Sequence, residues 1–194
     1  TITSPAQGGY LGTADVMVTW SGSDAGTGIA YYWVSMEGLP AINTTGTSYT
    51  FNDLADGTYT VLVSAYDQLG NYQDETVTFT VDTVAPIMEI TSPAEGQLFN
   101  ASSVTVTWAS SDANPGTAEV KVGSGAWVTA IGQQFVLTGL ANGAHRVYVR
   151  AADAAGNSVE VSVNFTVDTD APEVRFVFPA EGSLVNSTTG TVEW

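Results

Sequence analysis

The stretch "DGTYTVLVSAYDQLGN" (56–71) returns as "NGAHRVYVRAADAAGN" (142–157), 86 residues further along the chain. In the first copy Tyr59, Val61, Val63 and Ala65 alternate with other residues, and in the second Val147, Val149 and Ala151 do the same. Successive side chains of an extended chain point to opposite sides, so this period of two predicts a β-strand with one buried face. Each strand runs into "DQLGN" or "DAAGN", where an Asp and an Asn can bond their own backbone and a Gly can take positive φ. One chain that builds the same strand and turn twice is a chain of repeats.

The repeat extends in both directions. Trp20 recurs as Trp108 and Trp194, "SPAQG" (4–8) as "SPAEG" (92–96) and "FPAEG" (178–182), and "TFTVDTVAP" (78–86) as "NFTVDTDAP" (164–172). These steps divide the chain into modules at residues 1–84 and 85–170, followed at 171–194 by the first strands of an incomplete third. A fragment of a longer array is the natural reading. A module of this size is small, yet large enough to hold a core of its own.

Further strands are legible from the same alternation. "DVMVTW" turns Val16, Val18 and Trp20 inward, and "VTFTV" does so for Val77, Phe79 and Val81. The second module repeats them with Val104, Val106 and Trp108, then Val163, Phe165 and Val167. Gly, Asn, Asp and Pro fill the gaps as turn residues. Short strands at close spacing, with no sustained helical period, predict an all-β fold of tandem antiparallel β-sandwiches.

Trp20 closing the second strand, "YYWVSMEG" (31–38) as the third and "LADGTYTVLVSA" (54–65) through the sixth resemble immunoglobulin-like and fibronectin type III-like repeats. "VDTVAP" (81–86) as a boundary and Asp-x-x-Gly-Asn before the last strand resemble the repeats of large bacterial or archaeal surface proteins. The resemblance implies that Leu54, Asp56, Gly57 and Tyr59 form the corner at which the chain crosses between sheets, the Tyr bonding nearby backbone. It says little about function, because this sandwich hosts many unrelated roles.

Composition narrows the function. Four basic residues against twenty acidic ones give a net charge of −16, which opposes phosphate backbones and anionic membranes. Nucleic acid is therefore not an expected partner. Without cysteine there is no disulfide frame and no thiolate metal cluster. No run approaches the roughly 18–20 apolar residues of a membrane span, so the targeting and anchoring segments of a surface protein are expected outside these residues.

Catalytic groups are scarce. The single histidine, His145, stands where the first module has Tyr59 and reads as a half-buried corner residue. No nucleophile motif, phosphate loop or zinc spacing is present, and the acidic clusters fall in turns. No catalytic residue is assigned, and the chain is not expected to be an enzyme.

Three sets of residues are candidates for contact chemistry. The resemblance implies that a module is entered at the pole carrying its second-to-third and sixth-to-seventh strand loops, which brings the linker Asp82 toward Asp112 and Asp153. Asp53 and Asp56 of the preceding module fall nearby. Hard oxygen ligands of this kind suit Ca²⁺, and similar surface repeats stiffen their junctions with it; the same aspartates also read as turn caps. Asn43, Asn100, Asn164 and Asn186 head Asn-x-Ser/Thr sequons and are glycosylation candidates.

The third set is a face. On the third and sixth strands the outward positions of the first module are Tyr31, Trp33, Leu62 and Tyr66, where the second has Thr117, Glu119, Tyr148 and Ala152 flanked by Lys121, Arg146 and Arg150. Different faces imply different neighbours, with a protein subunit, of this or another kind, or a glycan as the expected partner of the apolar one. Cover by the module's own loops is the alternative. Trp127 reads as a packing residue.

In the incomplete third module Val174, Phe176, Val192 and Trp194 are the apolar positions of two strands whose open edges also allow strand exchange between chains, by which such modules polymerise. Taken together, the residues point to an extracellular, cell-surface or filament component acting as stalk, adhesin or coat. The alternative is a non-catalytic spacer or carbohydrate-binding region of a secreted enzyme.

Overall fold

The computed structural model describes residues 1–175, 180–184, 186 and 189–192. The strands of the first module are β1 (Ile2–Ser4), β2 (Gly9–Leu11), β3 (Val16–Trp20), β4 (Ile29–Met36), β5 (Ile42–Thr44), β6 (Ser48–Phe51), β7 (Gly57–Asp67) and β8 (Tyr72–Val81). Those of the second are β9 (Ile87–Ser92), β10 (Gln97–Phe99), β11 (Val104–Ser111), β12 (Ala118–Val122), β13 (Val128–Ala130), β14 (Gln134–Leu137), β15 (Gly143–Ala152) and β16 (Ser158–Val167). Among the described residues there is no helix long and apolar enough to cross a membrane.

Each module is a sandwich. In the first, β1-β3-β6 faces β2-β8-β7-β4-β5; in the second, β9-β11-β14 faces β10-β16-β15-β12-β13. The alternation that predicts the strands also decides their faces. Val16, Val18, Trp20, Val61, Val63, Val77, Phe79 and Val81 belong to one buried core, and Val104, Val106, Trp108, Val147, Val149, Val163, Phe165 and Val167 to another.

The first strands depart from the antiparallel expectation. β2 lies parallel to β8, and β10 parallel to β16. The opening strand of each module starts in one sheet, as β1 or β9, and breaks where Pro5 or Pro93 cannot donate to a ladder. Gly8 and Gly96, both at φ 73°, turn the chain. It then crosses to the other sheet and runs alongside the last strand.

Trp20 meets Tyr32 edge to face at 5.6 Å. The indole Nε1 atoms of Trp20 and Trp108 are both buried without a hydrogen-bond partner. A bare buried donor costs about 1–3 kcal/mol. Burying about 150–250 Å² of aromatic surface at about 25 cal/mol per Å² returns more than that, so the ring is retained at both positions.

The crossing corners match in function though not in residue. Tyr59 Oη donates to the carbonyl of Ala55 at 2.8 Å, and His145 Nε2 takes the same place on Ala141 at 2.8 Å. A carbonyl only accepts, so His145 carries its proton on Nε2. Its ring stacks on Phe165, as Tyr59 leans on Phe79. Past Val167 no described residue lies in a strand. The expectation for Phe176 and Trp194 falls outside the described residues.

Candidate functional site

The junction between the modules gathers the three predicted aspartates. One carboxylate oxygen each from Asp82, Asp112 and Asp153 lie within 4.8 Å of one another. Asp82 and Asp153 are only 4% and 7% exposed. Like charges so close and so dry repel strongly unless something compensates, and the hydrogen bonds show what does.

Asp82 Oδ1 accepts from the Val84 amide at 3.2 Å and Oδ2 from Asn114 Nδ2 at 2.6 Å. Asp112 accepts from the Asn114 amide at 2.7 Å. Asp153 accepts from the Asn157 amide at 2.9 Å and from Asn157 Nδ2 at 2.8 Å. The same Nδ2 also donates to the backbone carbonyl of Asp82 at 2.7 Å, so both its hydrogens are used. Asn114 and Asn157 thus tie the second module to the linker, and neither is legible as a junction residue from the sequence.

Close approach completes the contact. A Cβ added to Gly12 would lie 3.0 Å from Asn157 Oδ1 and 3.1 Å from the Ala155 carbonyl. Of the other acids expected nearby, Asp56 lines one cleft with Asp82 and Asp112. Asp56 accepts from the amide and hydroxyl of Thr83, both at 2.9 Å, and Asp15 Oδ1 accepts from the Asp53 amide at 3.0 Å. The exit of the second module repeats the device: Asn142 caps Thr169 at 3.0 and 2.8 Å, and Asp168 accepts from the Asp170 amide at 3.1 Å.

The aspartate of the first module's turn behaves in the same manner. The Asn71 side chain, at 2.7 Å, and the backbone amides of Leu69, Gly70 and Asn71 hold the Asp67 carboxyl below its ordinary pKa. Glu95 is held low by the Asn164 amide and side chain, at 3.0 and 2.7 Å, with help from Arg146.

On the outer face of the first module Tyr31, Trp33, Leu62 and Tyr66 share one surface. Trp33 is 42% exposed and the other three are half-buried, so the module's own loops do not cover them. The register Tyr31–Tyr66–Tyr72 runs straight across β4, β7 and β8. The rings stack at 4.7 Å and 5.2 Å between centroids. Burial, with Tyr31, Tyr72 and Asp74 close by, raises the pKa of the Tyr66 hydroxyl. Tyr72 escapes a reading of the sequence because its membership depends on the register of the β7–β8 hairpin.

The matching face of the second module is closed by its own side chains. Arg150 pairs with Glu119 at 2.7 Å, and both Arg150 and Lys121 lie over the Trp127 ring, at 4.2 and 4.4 Å. Arg146 donates to Ser162 Oγ and lies over Tyr148.

Among the sequons, Asn43 is exposed in β5 beside Trp33, and Asn100 is exposed after β10. Asn164 is exposed in β16, but its amide nitrogen is engaged by Glu95. Asn186 is exposed, while the Ser187 and Thr188 of its sequon lie outside the described residues.

Two sandwiches with corners, sheet-switching first strands and a polar linker define the class. The chain is a tandem of immunoglobulin-like, fibronectin type III-like repeats of the kind carried by bacterial proteins. Residues 14–83 match the bacterial Ig-like domain family, and residues 86–170 the family described as glucodextranase, domain B. Chitinase A1 of Niallia circulans is 31% identical over 175 residues, covering 82% of this chain and 25% of the chitinase. The chain therefore spans about a quarter of that relative's length. The fibronectin(III)-like modules of Clostridium thermocellum CbhA superpose with a TM-score of 0.59 at 16% identity, over 90% of this chain and 98% of theirs. At that identity the likeness concerns the fold alone.

Proposed function

We propose that the chain is a non-catalytic spacer region of a secreted polysaccharide-degrading enzyme, in which two sandwiches hold other parts of the polypeptide at a set distance and orientation. The likeness to chitinase A1 across both modules supports this most, and the glucodextranase match of the second module agrees with it. It favours the spacer over the surface stalk or filament to which the residues alone point. The junction bonds supply what a spacer needs, which is resistance to bending. In the complete polypeptide, excision of residues 1–170 is expected to leave turnover of a soluble oligosaccharide unchanged and to lower that of an insoluble polysaccharide. A polypeptide with no glycoside hydrolase activity overturns the reading.

Within that role we assign Asp82, Asp112 and Asp153 as ligands of a calcium ion. The donor set fits: three hard carboxylate oxygens lie within a few ångströms of one another, and calcium accepts six to eight oxygens with loose geometry. Asn114, turned over about its last bond, would offer an amide oxygen in place of its Nδ2. Water would fill the remaining positions. A calcium ion held by these residues would supply positive charge where three carboxylates crowd, and would lock linker to loops. Calcium at about 10 mM, well above the ordinary dissociation constant of an extracellular site, is expected to raise the melting temperature of the wild type by a few degrees and not that of Asp112→Asn. Equal melting of the wild type with calcium and with chelator removes the assignment.

A further inference from the structure

We propose that the tyrosine face of the first module binds an uncharged polysaccharide chain, an inference that rests on the spacer reading and gives the spacer a substrate contact. The ladder is not required by the fold. In the second module the positions of Tyr66 and Tyr72 are Ala152 and Ser158, paired in the same register on the same sheet. Cross-strand aromatic pairs contribute about 0.2–1 kcal/mol each, and the second module folds the same strands without them.

The ladder is also open. Tyr72 is 62% exposed, and β2 pairs with β8 only at Phe79, Thr80 and Val81, leaving the β8 edge at Tyr72 without a neighbouring strand among the described residues. One ring face of Tyr72 packs on Tyr66. Tyr72 also lines a cleft of about 550 Å³, together with Asp74, Trp20, Tyr32 and Asp67. Aromatic platform and polar cleft adjoin, the combination of apolar contact and a few polar groups that small sites use.

Charge selects the occupant. Residues 1–84 carry nine acidic side chains and no basic one. Nucleic acids, anionic membranes and acidic polysaccharides are repelled. Carboxylates at Asp74 and Glu75 accept hydrogen bonds and donate none, so the complement is rich in donors and free of negative charge. A pyranose chain meets both demands. Its hydroxyls donate, and its polarised C–H groups lie against the negative face of an aromatic ring. A protein partner would need a desolvated apolar centre, whereas the exposed carboxylate of Asp74 stands in the row next to the ladder.

The test uses this chain alone, so its outcome is separate from that of the excision experiment. Depletion from solution by chitin, cellulose and dextran gel is measured for the wild type, Trp33→Ala, Tyr72→Ala and, on the second module, Trp127→Ala. Retention by at least one of these neutral polymers is expected, weakened about tenfold or more in the first two variants, as for loss of an aromatic anchor, and unchanged in the third. Unaltered melting temperatures of the first two variants exclude misfolding. No retention on any of the three polymers, equal retention by all variants, or preference for the anionic polymer alginate overturns the proposal. So does a self-association seen by sedimentation that disappears in the two variants while glycan binding is absent.

Discussion

Asn157 in the last turn of the second module donates to the backbone carbonyl of Asp82 in the linker at 2.7 Å, while also holding Asp153 at 2.8 Å. One amide thus shapes a turn and fastens two domains. Asn71 makes only the first of these bonds among those described, to Asp67 at 2.7 Å. The double role exists where a linker arrives.

Removing it should loosen the junction without unfolding either sandwich. Asn157→Ala is expected to broaden the interdomain angle distribution seen by small-angle scattering. Gly12→Val should do the same from the other side, because its side chain would meet Asn157 and Ala155. Unchanged scattering in both variants would show that these contacts do not set the angle.

The corner bonds lend themselves to exchange. His145→Tyr installs the residue the first module uses and is expected to keep stability within about 0.5 kcal/mol. His145→Ala should cost about 1–3 kcal/mol through the lost hydrogen bond to Ala141 and the lost stacking on Phe165. Denaturant unfolding of the two variants checks both. A destabilised His145→Tyr would mean that the two corners differ in shape.

How much of the fold and the junction is legible in the sequence depends on the kind of information each feature needs. Val16, Val18 and Trp20 announce their burial by alternation, which is local. Asp82, Asp112 and Asp153 are legible because the fold fixes which loops share a pole. Asn114 and Asn157 are not, since an Asn in a turn explains itself by its own backbone bonds and gives no sign of a second partner. The parallel ladders at β2 and β10 are hidden in three-residue strands, too short to show a period. Trp127 reads as packing; its place between Lys121 and Arg150 depends on where a loop folds back.

Glu95 gives a prediction in pH. Its carboxyl is held below its ordinary value by Asn164, so it favours the folded state fully above the unfolded pKa of about 4.3. That contribution is lost as pH falls through the lower folded value. Glu95→Gln is therefore expected to melt below the wild type at pH 7, with the gap closing as pH falls below about 4. Scanning calorimetry at several pH values measures it. A gap independent of pH would assign the effect to shape rather than charge.

The buried tryptophans test the core itself. Truncation of Trp20 or Trp108 to Ala leaves a large cavity in a module with a single core and should cost about 3–5 kcal/mol. Trp→Phe at either position should cost distinctly less. It keeps part of the ring, and it removes an indole N–H that has no partner in the fold, returning some of the about 1–3 kcal/mol that a bare donor takes. The modules have separate cores, so Trp20→Ala should lower only the melting transition of the first module, and Trp108→Ala only that of the second. The test is calorimetry of each variant with the transitions resolved. If Trp→Phe proves as damaging as Trp→Ala, the unpartnered nitrogen carries no penalty and the ring's full width is what the core requires.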